Sequence, residues 1–294
     1  MAQPLAADPL LLADVPWLLY RAFFSLPKSI TGAEGKPVNA LLGTVNALLN
    51  ACEACHPRAV VACFGAEQAA YRVELYPPYH AHREPMPDAL AEQWQRAPEL
   101  LASLGWTVSD SENLEADDVM GSLAAIEARS KPPARRALLL SGDRDMYQAV
   151  NERVAILELK KGAAPIEVGP EQVRERYGID PALVPDFIAL RGDPSDGIPG
   201  APGIGAKTAA ELLNKHGPLE DILAAAANPA ATTRSSATLL HHAEQLRIFK
   251  QVATLVPIDV KPPPDTPTDF ARGAAKAYEF GMKGLAARLE KAAS

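Results

Sequence analysis

The chain has 294 residues, 48% of them hydrophobic, which is enough apolar material for one large core or two coupled ones. No run of about 18 uncharged apolar residues is present, and Met1 to Leu12 carries Asp8 and no Lys or Arg ahead of its apolar stretch, so neither a membrane span nor a secretory signal fits and the cytoplasm is the expected compartment. Three cysteines argue against a disulfide framework, and the net charge of −7 gives no overall basic footprint for nucleic acid, although acids gathered around divalent ions would leave basic residues elsewhere free to line a phosphate path.

In chain order, Leu10 to Asp14 is a short apolar run ending in a carboxylate, and Ala59 to Phe64 and Ala137 to Ser141 have the same form, that of buried strands. Helical patterns lie between them at Trp17 to Leu26, Val38 to Cys55, Leu90 to Leu104 and Glu115 to Arg129. Such alternation predicts an α/β fold with a mostly parallel sheet, whose ligands sit at the carboxyl ends of the strands, where Asp14, Gly65, Asp143 and Asp145 fall. Cys52, Cys55 and His56 have the C-x-x-C-H spacing of haem attachment, yet they close an apolar helix and read as small core-facing residues. Tyr71 to Pro98, crowded with Pro, Tyr, His and Arg, reads as a functional loop or lid. From Pro170 onward short helices dominate, and Ala224 to Ala237 reads as a surface loop or weak helix.

Four acidic clusters follow apolar runs: Asp14; Glu115-Ala116-Asp117-Asp118; Asp143-Arg144-Asp145; and Asp193-Pro194-Ser195-Asp196. Hard oxygen donors with almost no nearby His or Cys favour Mg²⁺ or Mn²⁺ over zinc. Glu115 and Asp118 share one face of a helix start, and Asp143 and Asp145 share one side of an extended chain. Two cations roughly 4 Å apart would relieve the repulsion and form a clamp for phosphodiester cleavage. Taken singly, each cluster has a plainer reading. Glu115 to Asp118 could be an acidic first turn capped by Asn113, and Asp143-x-Asp145 could open an aspartyl phosphotransferase, which would want Thr where Tyr147 stands.

The segment Gly197 to Thr208 is rich in glycine, but Ala206 separates Gly205 from Lys207 and breaks the spacing of a nucleotide-binding loop. A tight turn ahead of a helix from Ala206 to His216 fits better, its backbone N–H groups holding a phosphate of duplex DNA and Lys207 adding charge; an inert turn is the alternative.

Together, Tyr20-Arg21-Ala22-Phe23-Phe24, Tyr76 to Arg83, Glu115 to Asp118, Ser141 to Asp145 and Arg191 to Gly200 resemble, in order, the motifs of the bacterial 5′ nuclease family, known as the N-terminal domain of DNA polymerase I and related to the flap endonucleases. The resemblance implies a PIN-like core in residues 1–169 with a helical arch at 76–104, and a mainly helical region, 170–294, with a helix-two turns-helix element at 197–216 that grips duplex DNA through K⁺. It implies Mg²⁺ or Mn²⁺ held by Asp14, Glu115, Asp117, Asp118, Asp143, Asp145, Asp193 and Asp196. Catalytic roles fall to Arg83, His80, Asp118 and Asp145, and DNA contacts to Tyr20, Arg21, Tyr79, Arg83, Gly203, Gly205, Lys207 and Thr208.

Three departures stand out: Phe64-Gly65 replaces a usual Phe-Asp, His80 replaces an arch lysine, and Val15-Pro16-Trp17 replaces a Gly-polar turn after Asp14. The missing carboxylate predicts a preference for Mn²⁺ and a gain of Mg²⁺-supported activity in Gly65→Asp. The expected activity is two-metal-ion 5′-3′ exonuclease and flap endonuclease cleavage in replication and repair. Its partner would be DNA with 5′ flaps or 5′ ends, RNA-primed ends included, and the protein a monomer. The alternatives are a structure-selective DNA-binding protein with weakened catalysis and, more distantly, a metal-dependent phosphatase on another α/β fold.

Overall fold

The apolar runs of the sequence become strands because their side chains are buried on both faces of one sheet. The computed structural model describes residues 8–130, 135–160, 163–228 and 234–294. Its first half contains β1 (Leu10–Asp14), α1 (Val15–Ser25), α2 (Asn39–Cys55), β2 (Ala59–Cys63), α3 (Ala70–Leu75), α4 (Asp88–Ser103), β3 (Thr107–Ser109), α5 (Ala116–Ala128), β4 (Ala137–Leu140), β5 (Val154–Glu158) and β6 (Ile166–Val168). The second half is helical: α6 (Pro170–Tyr177), α7 (Val184–Arg191), α8 (Ala206–His216), α9 (Leu219–Ala226), α10 (Arg234–His241), α11 (Ala243–Ala253), α12 (Phe270–Glu279) and α13 (Lys283–Ala293). The expected loop or weak helix at Ala224 to Ala237 is split between the end of α9 and the start of α10, and 229–233 within it lie outside the described residues. So do 1–7, on which part of the signal-sequence reading falls. Among the described residues no helix is long and apolar enough to cross a membrane.

The strands order as β3-β2-β1-β4-β5-β6, parallel throughout except for β6, which runs antiparallel to β5. This is the expected α/β class with a mostly parallel sheet. The period-two alternation of a strand divides its residues between two cores. Leu10, Leu12, Val61, Cys63 and Leu139 pack with α5, α7, α8, α9 and α11. Leu11, Ala13, Val60, Ala62, Leu138 and Leu140 pack with α1, α2, α4, α12 and α13. The helices after Pro170 therefore cover both faces of the sheet. The connection from α11 to α12 is tied down on the way, with Val256 and Ile258 N–H groups donating to Asp118 and Ser122 of α5.

Residues 76–104, read as a helical arch, are helical only from Asp88 onward. Pro77, Pro78, Pro85 and Pro87 lack the N–H groups a helix needs and leave residues 76–87 as turns. α4 also carries the cap of another helix. α2 has no side-chain cap of its own, and the buried Gln93 of α4 accepts from the N–H groups of Ala40 (2.8 Å) and Leu41 (3.3 Å).

Candidate metal centre and nucleic-acid cleft

Asp14 is the last residue of β1 and lies on the same face as Leu10 and Leu12. One oxygen accepts from Trp17 N at 2.9 Å, which caps α1, and the other accepts from Ser141 Oγ at 2.7 Å. The second bond crosses from β1 to the end of β4, the pair of strands at which the order of the sheet reverses and a crevice opens. Ser141 Oγ in turn accepts from Asp143 N at 3.0 Å.

Six of the eight predicted metal acids, Asp14, Glu115, Asp117, Asp143, Asp145 and Asp196, line one cleft of about 1090 Å³. Carboxylate oxygens of Asp117, Asp143 and Asp145 lie within 4.8 Å of one another. One oxygen each of Asp117 and Asp145 is buried without a hydrogen-bond partner, a deficit that a bound cation would meet. The other acids of the cleft are already engaged. Glu115 accepts from Ala69 N at 2.7 Å and from Tyr79 Oη at 3.1 Å, and Asp196 meets His80 Nε2 at 3.0 Å and Arg83 at 3.3 Å. The donor set is all hard oxygen, so the residues present fit divalent cations.

Electrostatics give the same result. Burial pushes the Asp14 carboxyl up to about 6, against the lowering effect of its two hydrogen bonds. Asp117 and Asp145 are driven well above the carboxylate range by burial and then by neighbouring acids, and Asp143 rises for the same reasons. Without a cation these groups cannot all be ionised cheaply.

Two predicted ligands lie elsewhere. Asp118 is fully buried and faces away from the cleft: Arg72 Nη1 and Nη2 donate to its two oxygens at 2.9 and 2.8 Å, and Val256 N donates at 2.8 Å. Its lone pairs go to an internal ion pair, so the expected metal and catalytic role is replaced by a structural one. Asp193 folds back on its own turn, accepting from Ser195 N at 2.9 Å, and is not among the residues lining the cleft.

Gly65 also departs from expectation. A Cβ built on it would stand 2.5 Å from Leu114 O and 2.6 Å from Ala116 N, so the obstacle to Gly65→Asp is the backbone entering α5. Restoring a carboxylate there would displace Glu115 and Asp117 with it, and a gain in Mg²⁺-supported activity is not expected.

Tyr20, Tyr79, His80 and Arg83 border the same cleft. His80 stacks on Tyr79 with centroids 3.7 Å apart and holds a left-handed backbone, φ +55°. Arg21 projects from α1 over the Trp17 ring. The predicted DNA contacts of the glycine-rich segment are not among the residues lining the cleft: Gly203, Gly205 and Lys207 are exposed, Thr208 is half-buried, and α8 starts after Gly205 without a side-chain cap. Sequence reasoning missed Arg72, the counter-charge behind Glu115, and Glu67, which lines the cleft and accepts from Tyr20 Oη at 2.7 Å. An acidic cluster this dense requires a buried cation behind it, and Arg72 stands in the segment already marked as functional. Cys52 and Cys55 are free, with thiols pushed up to about 12 and about 11, chiefly by burial, the reverse of an activated thiol.

A parallel sheet whose switch point carries clustered, unpartnered carboxylates defines a divalent-cation site of the kind that handles phosphate esters. The family model for the 5'-3' exonuclease N-terminal resolvase-like domain matches residues 9–178, and that for the 5'-3' exonuclease C-terminal SAM fold matches residues 179–270. A 5'-3' exonuclease of Mycobacterium tuberculosis is 36% identical over 97% of this chain and 98% of its own length. DNA polymerase I of the same organism is 37% identical over 74% of this chain, which spans only 24% of that larger protein. The bacteriophage T5 D15 flap endonuclease, solved as a pseudo-enzyme-product complex with DNA and metal ions, has the same fold, with a TM-score of 0.67 at 18% identity over 96% of this chain and 98% of its own. The chain belongs to the 5'-3' exonuclease family.

Two outcomes follow for the site. Asp118→Ala strips the buried Arg72 of its bidentate partner, leaving Glu115 at 3.3 Å as its remaining counter-charge, and should lower unfolding free energy by about 3 kcal/mol, whereas Asp117→Asn should leave the metal-free fold intact and weaken cation binding. Urea denaturation in EDTA, paired with Mn²⁺ titration, separates the two; equal stability loss in both would contradict the assignment.

The second concerns pH. A carboxyl whose folded pKa exceeds its unfolded value of about 4 stabilises the fold fully below that value, and the contribution is lost as pH rises through the folded pKa. For Asp14 the loss sets in above about pH 4 and is complete once pH has passed about 6, and Asp117 and Asp145, raised in the same direction, add losses of the same sign. The melting temperature in EDTA should therefore fall between about pH 5 and pH 8, and Mn²⁺ should raise it little at the lower pH and strongly at the higher. Thermal melts with and without Mn²⁺ test this, and equal increments at both pH values would contradict it.

Proposed function

We propose that this chain is a structure-specific 5′ nuclease that hydrolyses DNA phosphodiesters at 5′ ends and 5′ flaps using Mg²⁺ or Mn²⁺, in replication and repair. The observation that carries the reading is the pair of buried, unpartnered oxygens on Asp117 and Asp145 in a cleft that also holds Arg83. Divalent cations, when bound, supply an activated water and neutralise the phosphate. Asp14, Glu115, Asp117, Asp143, Asp145 and Asp196 hold them, and Asp193 stays at the margin. Arg83, with a half-exposed side chain, places its guanidinium against the charge that develops on the scissile phosphate. His80, held by Asp196, fixes the turn from which Arg83 projects. Tyr79 orients Glu115, and Tyr20 and Arg21 flank the path of the 5′ strand.

Residues 1–169 form the catalytic part, with 76–104 as the gateway for the single strand, and 170–294 the duplex-binding part. The turn at 197–216 grips the duplex with K⁺ in place, through Gly203, Gly205, Lys207 and Thr208. Flaps and RNA-primed ends are both substrates in this reading, for a monomer in the cytoplasm.

The test is a labelled 5′-flap duplex incubated with Mg²⁺, Mn²⁺ or EDTA. Release of the flap with either cation and none in EDTA is expected; tight binding without cleavage under every condition would instead favour a catalytically weakened DNA-binding protein. Duplex binding is separable from chemistry. Lys207→Ala should weaken binding and lower the salt slope by about one, with the rate at saturating protein nearly unchanged. Affinity measured across a salt series checks this, and an unchanged slope would make the loop an inert turn.

A further inference from the structure

Trp17 stands in the first turn of α1 and has no part in the chemistry above, yet its indole lies directly on the loop that carries Asp143. A Cβ built on Gly142 would stand 2.3 Å from Trp17 Cζ2, 2.4 Å from Cε2 and 2.7 Å from Nε1, so the ring is pressed onto the backbone of that residue and glycine alone allows the approach. Gly142 joins Ser141 to Asp143. The backbone of Trp17 is engaged as well, since its N–H donates to Asp14 at 2.9 Å. From there the connection runs through Ser141 Oγ, 2.7 Å from Asp14, to Asp143 N, 3.0 Å from that hydroxyl. Trp17 thus closes a ring: its backbone holds the carboxylate at the end of β1, and its side chain covers the loop at the end of β4.

We propose that Trp17 is a positioning residue for cation binding: its indole clamps the Ser141–Asp145 loop onto Asp14 and holds Asp143 and Asp145 opposite Asp117. The reason is geometric. The loop is short, Gly142 near its start is exposed, and the oxygens of Asp117, Asp143 and Asp145 must stay within 4.8 Å of one another although they repel. Hydrogen bonds fix Asp143 through its N–H group and buried Met146 anchors the chain just past Asp145, but neither stops Gly142 from lifting off the sheet. A large rigid ring lying across Gly142 does, at small entropic cost, because it is itself pinned at the start of α1 and packs under Arg21. Trp17 itself borders the cleft, and such supporting groups tune cations that they do not ligate.

The inference rests on the reading that these acids hold divalent cations, and the experiment separates the two. Mn²⁺ affinity of the whole protein is measured by electron paramagnetic resonance of the free ion, without DNA, for wild type, Trp17→Leu, Trp17→Phe and Gly142→Ala, alongside circular dichroism and melting in EDTA. Trp17→Leu should weaken Mn²⁺ binding about tenfold or more, the range seen for outer-shell supports, with Trp17→Phe keeping a large part of the affinity. Gly142→Ala, which displaces the ring from the other side, should reproduce the loss with the tryptophan still present and serves if Trp17→Leu does not fold. Flap cleavage by Trp17→Leu should recover toward the wild-type rate as Mn²⁺ is raised to saturation. Wild-type Mn²⁺ affinity in a folded Trp17→Leu or in Gly142→Ala would overturn the inference. Absence of Mn²⁺ binding by the wild type would instead overturn the cation site itself.

Discussion

Repulsion among carboxylates that the fold crowds into one cleft is the constraint on which the rest of the structure depends. Asp14, Asp117, Asp143 and Asp145 all have carboxyls raised by burial, and most of them by one another. The fold answers this charge in two places. Within the cleft two buried carboxylate oxygens are left without partners, a deficit that cations would fill. On the closed side Arg72 neutralises Asp118 and approaches Glu115 at 3.3 Å. Arg72 acts on Asp117 and Asp145 only at a distance, lowering their carboxyls less than burial raises them.

The sheet makes this arrangement possible. A parallel sheet places all of its carboxyl ends on one edge, and its order reverses between β1 and β4, so Asp14 and the Ser141–Asp145 loop meet there without any long-range coincidence. α5 adds Glu115 and Asp117 from its first turn, where the helix dipole favours negative charge. Three separate chain segments are thus aimed at one point by regular elements, with loops contributing only the last one to five residues.

Much of this was legible in the sequence, and the reasons differ by residue. β1, β2 and β4 were readable because unbroken aliphatic runs cannot be solvent-facing. β3 and β6 escaped because three residues carry no period, although β5, Val154–Glu158, had a signal as clear as the others. The acids were found as clusters, but clustering does not say which way a side chain points. Glu115, Asp117 and Asp118 occupy one helical turn, and only the positions of α3 and the α11–α12 connection turn Asp118 toward Arg72 and away from the cleft. Gly65 shows the same limit: its missing carboxylate was visible, while the reason that none could be restored depends on the backbone of Leu114 to Ala116. Residues 76–87 of the expected arch form turns for a local reason that was in plain view, the four prolines they contain.

Arg72 directs three of its five donors into the interior. Nε donates to Val252 O at 3.0 Å and both terminal nitrogens are taken by Asp118, so α3, α5 and the end of α11 are joined through one planar group. A lysine would supply the same charge but could not present three directed bonds in one plane. In evolutionary terms, positions 72 and 118 can drift only as a pair. A neutral lineage could replace both by apolar residues of matching volume and lose little stability, yet it would also lose the positive charge behind Glu115. The ion pair is therefore kept in place by its neighbour in the cleft, and sequences that retain Glu115 should be the ones in which arginine at 72 is never exchanged for lysine.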